Sequence, residues 1–294
     1  LAGPHEGPGR SHATEPGARV IPTARWTGSS DQSRARRVTP SASSVRCAAS
    51  KSAAGATHLA STTLIKDLLL VRGWPTLRGS LTIDPNQPWP DDGPPVARMR
   101  EQGAVIIGKT TTPEFGWKGV TDSPLTGITR NPWNTAMTPG GSSGGAAAAA
   151  ALGMGPLHIA TDGGGSIRIP AAFCGVFGFK ATWGLVPVHP HSPALSLWHQ
   201  GPITRTVADA ALMQTVIARA DTRDWYQTIM PGIDVRANLD AGVKGWRIGY
   251  SVDLGYAKVD PRVARQIEQQ LKHFTDLGAT VELIDISLED PIAI

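Results

Sequence analysis

The sequence predicts an α/β fold, and three observations predict it. Val96 to Gln102 is a helical stretch closed by Gly103, and Val105-Ile106-Ile107 follows as a buried strand. A second unit of this kind lies further on. Asp260 caps a helix with Pro261 in its first turn, the helix runs to about Leu277 and ends at Gly278, and Thr280 to Ile284 is a strand. Helix–glycine–strand alternation is the pattern of helices packed on a sheet. The third observation is composition: 40% hydrophobic and 18% charged residues support a sizeable core and exclude global disorder.

The elements follow in chain order. Residues 1–58 are rich in Gly, Pro, Ser, Ala and Arg and carry no periodicity, so they read as an atypical low-complexity segment, disordered or outside the native coding frame. Residues 59–294 read as the folded domain. In it, Leu64-Ile65 and Leu68 to Val71 are apolar runs on either side of Lys66-Asp67. Gly145 to Gly153 is helical and nearly all alanine; with no bulky face, it must lie close to neighbouring backbone. Val176 to Phe179 is a short strand. Thr206 to Ala220 is an amphipathic helix with Ala208, Ala211, Leu212, Thr215 and Val216 on one side. Trp246 to Tyr250 is a strand. The chain stops at Ile294, soon after Asp290-Pro291 and without a capping element, and reads as truncated.

The formal charge of +4 is mild and implies no nucleic-acid partner; much of the excess sits in Arg10, Arg19, Arg25, Arg34, Arg36, Arg37 and Arg46. Two cysteines, Cys47 and Cys174, make neither a disulfide framework nor a zinc site, and a reduced, cytoplasmic setting is expected. The longest apolar run, Ala146 to Leu152, is too short to span a bilayer. Arg36-Arg37 is followed by no apolar stretch, so no signal peptide is read.

The densest chemical signal is Pro139-Gly140-Gly141-Ser142-Ser143-Gly144-Gly145, followed by Ala160-Thr161-Asp162-Gly163-Gly164-Gly165-Ser166-Ile167-Arg168-Ile169-Pro170. Ser142 and Ser166 place hydroxyls on backbone with little shielding. Gly163, Gly164 and Gly165 can turn their amides toward one point, as an oxyanion hole requires. Asp162 and Arg168 straddle the turn and can lock it by hydrogen bonds. A flexible linker would not continue into an alanine helix, and a phosphate loop would end in Gly-Lys-Ser/Thr, which is absent. A serine nucleophile needs a base. His158 has no acid partner in sight, and no G-x-S-x-G elbow surrounds Ser166. Lys66 has the most apolar surroundings of any lysine here, and burial lowers a lysine's pKa from ~10.4 by several units, so it is the candidate base.

Taken together, G-G-S-S-G-G, then T-D-x-G-G-S-I-R-x-P, with Lys-Asp upstream in an apolar run, resembles the amidase-signature family. The two serines are 24 residues apart (166 − 142), as in that family. Gly108-Lys109-Thr110, Thr112 to Gly116, Thr129 to Asn134 and Gly201 to Thr206 fit as well, so the resemblance covers about Leu64 to Leu283. It implies a mixed sheet with helices on both faces, incomplete at the C-terminal end of this chain. It implies Ser166 as nucleophile, Ser142 as bridging serine after a cis peptide at Gly141, and Lys66 as base. It also implies an oxyanion hole from the amides of Gly163, Gly164, Gly165 and Ser166, with Ser143, Asp162 and Arg168 in support. The activity implied is hydrolysis of a small carboxylic amide, with no cofactor, no metal, no nucleic acid and no membrane, in a chain that can homodimerise. A glutaminase subunit of the glutamyl-tRNA amidotransferase type and an inactive truncated homologue are the alternatives. Ala60-Ser61-Thr62-Thr63 departs from the family's G-x-P approach to the lysine, and Ala181 replaces a proline.

Overall fold

A computed structural model describes residues 61–228 and 233–290, with the backbone of β1 (Ser50–Lys51) and β2 (Thr57–His58), which pair antiparallel. Apart from that ladder, the 1–58 segment of the sequence analysis, Cys47 included, lies outside the described residues, as do Pro291 to Ile294.

The central sheet is mixed and has five strands in the order β4-β3-β7-β9-β8. β3 (Thr62–Lys66) runs parallel to β4 (Val105–Thr110) and to β7 (Leu157–Asp162). β9 (His199–Thr204) is antiparallel to β7, and β8 (Phe177–Gly178) is antiparallel to β9. A separate antiparallel pair, β5 (Asp122–Ser123) and β6 (Gly127–Ile128), precedes the glycine-serine segment.

Helices cover this sheet. α1 (Pro94–Glu101) opens with two prolines, which need no helical N–H partner there, and closes at Gly103, whose φ of 81° only glycine adopts easily. Val96 and Met99 of α1 pack with Ile65, Leu157 and Ile159 of the sheet and with Leu212, Met213, Val216 and Ile217 of α4 (Val207–Ile217). α2 (Gly144–Ala151) and α3 (Arg168–Cys174) belong to a second cluster, where Ala146, Ala147 and Ala150 meet Ala160, Ile167, Cys174 and Ile203. Strand alternation divides the two layers: Ile65 enters the α1–α4 core, and Lys66 turns to the side of α2.

Two expectations change. β4 is an edge strand, so Val105 and Ile107 are exposed instead of buried. α4 is buried all round from Ala210 to Ile217, while Ala208 is exposed, so it is a core helix and not an amphipathic one. The second helix–glycine–strand unit is present as β10 (Arg247–Tyr250), α5 (Pro261–Asp276) and β11 (Thr280–Leu283). Asp260 caps α5 by accepting from the Arg262 amide at 2.8 Å. β10 and β11 pair parallel in a sheet of their own.

Candidate active site

Lys66 ends β3, and its side chain is fully buried. Its Nζ lies 2.7 Å from Ser142 Oγ, 2.8 Å from Ser143 Oγ and 2.8 Å from Thr161 Oγ1. Burial pushes the ammonium well below its ordinary range, against a weaker opposing pull from the charge of Asp162. As an ammonium, Nζ donates to all three hydroxyls; as an uncharged amine, with two protons and one lone pair, it would donate to two and accept from one. The Ser143 hydroxyl donates to the Thr161 carbonyl at 3.1 Å, so it accepts from Lys66.

Ser142 and Ser143 stand at the N-terminus of α2, and the reason they can reach Lys66 is local. Added to Gly145, a Cβ would sit 2.5 Å from the Thr111 amide nitrogen; on Gly144 it would meet Thr121 Cβ at 2.8 Å. Only glycine lets the helix start this close to the segment after β4. The Gly141–Ser142 peptide is cis, as the resemblance implies. Thr121 ties its two sides together: its hydroxyl donates to the Gly140 carbonyl at 2.9 Å and accepts from the Gly144 amide at 3.1 Å. Lys109 forms an ion pair with Asp67 at 2.7 Å and thereby fixes the turn that follows Lys66.

Asp162 ends β7, fully buried, and organises the turn that carries Ser166. Its carboxylate accepts from the Gly165 amide (2.7 Å), the Ile167 amide (3.0 Å), Arg168 Nε (3.0 Å) and Arg168 Nη2 (2.9 Å). Burial alone would raise its pKa; the Arg168 guanidinium and the two amides outweigh that and bring it down to about 2. The Ser166 carbonyl accepts from the Ser143 amide at 3.2 Å, which joins the two serine segments through backbone. Ser166 is half-buried, and Gly163 and Gly164 are exposed.

One expected donor is thereby taken. The Gly165 amide is bound to Asp162 and does not face the open side of the turn. Among the described residues, the amides of Gly163, Gly164 and Ser166 meet no acceptor. Sequence reasoning also missed Thr161 and Thr121. Thr161 falls inside the quoted motif, yet strand alternation assigns it to the face of Ile159, so periodicity gives no warning of its contact with Lys66. Thr121 has no signal in the sequence. The Thr129–Asn134 stretch has a structural explanation: Asn131 Nδ2 donates to the Phe173 carbonyl at 2.9 Å and Trp133 Nε1 to the Cys174 carbonyl at 2.7 Å, which pins the end of α3. Cys174 is buried, and burial pushes its thiol up to about 11, so it packs as a small apolar residue. No helix among the described residues is long and apolar enough to cross a membrane.

Comparison with known proteins gives the family and the fold. The family model described as Amidase matches residues 60–293. The acylamidase of Rhodococcus erythropolis is 42% identical over 218 residues, which is 74% of this chain and 46% of that protein. A glutamyl-tRNA(Gln) amidotransferase subunit of Syntrophobacter fumaroxidans is 41% identical over 218 residues, 74% of this chain and 45% of that one. The crystal structure of a bacterial aryl acylamidase of the amidase-signature family superposes with a TM-score of 0.71 at 37% identity, covering 76% of this chain and 47% of that one. The chain thus spans about half the length of the relatives it matches. With the fold, the glycine-serine segments and the family model in agreement, the chain belongs to the amidase family.

Proposed function

We propose that this chain carries the reacting centre of an amidase that cleaves a carboxylic amide through an acyl-enzyme on Ser166. One observation carries the reading: a fully buried Lys66 amine, its pKa held low by burial, 2.7 Å from the Ser142 hydroxyl. The Ser142 hydroxyl donates to the Lys66 lone pair, and Ser142 in turn takes the proton of Ser166 as Ser166 attacks the amide carbonyl. The tetrahedral oxyanion is received by the free amides of Gly163, Gly164 and Ser166. The proton then passes back through Ser142 to the leaving nitrogen, the C–N bond breaks, and water attacks the acyl-Ser166 ester by the same relay. Ser143 and Thr161 hold the amine, and Asp162 with Arg168 holds the turn. The substrate is a small-molecule amide.

The glutaminase alternative rests on the 41% identity to an amidotransferase subunit. Turnover of glutamine that depends on added partner subunits would favour it. The test of the main reading is covalent labelling. A fluorophosphonate is expected to modify the wild-type protein and leave Ser166→Ala unmodified. Lys66→Ala and Ser142→Ala are expected to lower amide turnover by about 10⁴-fold, as for removal of members of a hydrolase triad. Equal labelling of Ser166→Ala would remove Ser166 from the role of nucleophile.

A further inference from the structure

A cleft of about 440 Å³ is lined by Leu70, Ile83, Trp89, Phe115 and Pro190, with Arg78 among these apolar walls. Its position relative to the relay follows from the backbone. Leu70 lies four residues after Lys66 in the same apolar run. Gly116, next to Phe115, is placed so that a Cβ on it would be 3.4 Å from Ser142 Oγ. Phe115 of the cleft wall is thus joined in sequence to a residue packed against the bridging serine, while the cleft lining itself holds none of the relay residues.

Two features of the wall are unusual. Arg78 (φ 56°) and Phe115 (φ 51°) both adopt the left-handed conformation that non-glycine residues rarely take. The Phe115 amide donates to the Arg78 carbonyl at 2.8 Å, so the two strained residues are stitched together, and both line the cleft. Arg78 is half-buried, and among the described residues no carboxylate pairs with its guanidinium. Lys109 is lowered chiefly by its burial, with a smaller push from the Arg78 charge, and it already has Asp67 as its partner. Asp91 also lines the cleft, but it is exposed and its charge acts on Arg223. A cleft with apolar walls and a guanidinium that no carboxylate pairs, beside polar Thr76, Gln87 and the exposed Asp91, favours a ligand with an apolar body and an anion at the Arg78 end.

Resting on the amidase chemistry proposed above, we infer that this cleft receives the amine side of a secondary amide, an acylated aromatic amine carrying a carboxylate that Arg78 binds. The side follows from proton flow: the leaving nitrogen is protonated from Ser142, so it faces Ser142 and the cleft beside Gly116. Aromatic walls at Trp89 and Phe115 favour an aryl amine over a polar one.

The experiment compares 4-acetamidobenzoate with acetanilide in the full-length protein, using wild type, Arg78→Leu and Arg78→Lys. Wild type is expected to prefer the carboxylate substrate in kcat/KM by about ten- to a hundredfold, the size of a charge-assisted hydrogen bond. Arg78→Leu is expected to bring the ratio to about one, and Arg78→Lys to restore part of it. A ratio that is the same in wild type and Arg78→Leu, whether both rates fall or neither does, overturns the inference. If neither amide is turned over, the amidase reading has failed, and binding of 4-aminobenzoate and aniline by calorimetry then decides the cleft separately. At least tenfold tighter 4-aminobenzoate binding, lost in Arg78→Leu, supports it; equal binding of the two ligands overturns it.

Discussion

His158 shows how far a single residue's surroundings fix its behaviour. It is fully buried on β7, and its ring nitrogens face the Met154 and Ile203 carbonyls without meeting either at hydrogen-bonding geometry. Burial pushes its pKa down from 6.5 to about 4, so the folded protein holds it neutral where the unfolded chain would protonate it. The folded form then binds fewer protons, and stability must fall as pH drops from ~6.5 toward 4. At about 1.4 kcal/mol per pKa unit, the loss is about 3 kcal/mol. Asp162, with its pKa of about 2, keeps its charge through that window; its stabilisation is present above the ordinary carboxylate range and is lost only at lower pH. Urea midpoints measured from pH 7 to pH 4 are expected to decline in the wild type and to lose most of that slope in His158→Leu. An equal slope in both proteins would show that His158 titrates normally. Reading His158 as an ordinary polar residue and not a catalyst was possible from sequence, because no acid accompanied it; its complete burial was not, since that depends on β3 and β9 pairing on either side of β7.

At the level of elements, the alanine helix was legible and its reason was physical: a helix without bulky side chains has to approach backbone closely. Gly144 and Gly145 show what the approach is for, since α2 carries Ser142 and Ser143 to Lys66. This sets two effects against each other in Gly145→Ala. Helix propensity alone predicts a gain of about 1 kcal/mol. The new methyl would meet the Thr111 amide nitrogen at 2.5 Å, and overpacking against backbone costs about 1–3 kcal/mol or more. The clash wins, so thermal unfolding of Gly145→Ala is expected at a lower temperature than wild type, with amide turnover reduced as the serines shift. An unchanged or raised Tm would contradict the close packing. The error over β4 has a plain cause. Apolar runs report an apolar strand but not its place in the sheet, so Val105 and Ile107 read as buried although β4 lies at the edge. The glycine stop signals at Gly103 and Gly278 were local and therefore readable; both sit at positive φ just past their helices.

On the scale of the whole molecule, the candidate site draws on segments distant in sequence that meet at one end of the sheet. Lys66 comes from β3, Ser142 and Ser143 from the start of α2, and Thr161 and Asp162 from β7; 95 residues separate Lys66 from Thr161. The motifs named most of these residues because each is locally distinctive. They could not supply the contact of Thr161 with Lys66 or the diversion of the Gly165 amide to Asp162, since these depend on how the segments meet. The β10–α5–β11 unit differs: α5 has no buried residue, and Val263, Ile267 and Phe274 are exposed on it. The relay requires Lys66 to be an uncharged amine when the surrounding solution would charge it. Nitrogen-15 NMR of the Lys66 side chain, assigned by comparison with Lys66→Ala, reads this directly across pH. A neutral amine at pH 7, charging only on acidification, is the result expected; an ammonium that persists to the ordinary lysine range would leave Ser142 without a base and contradict the account.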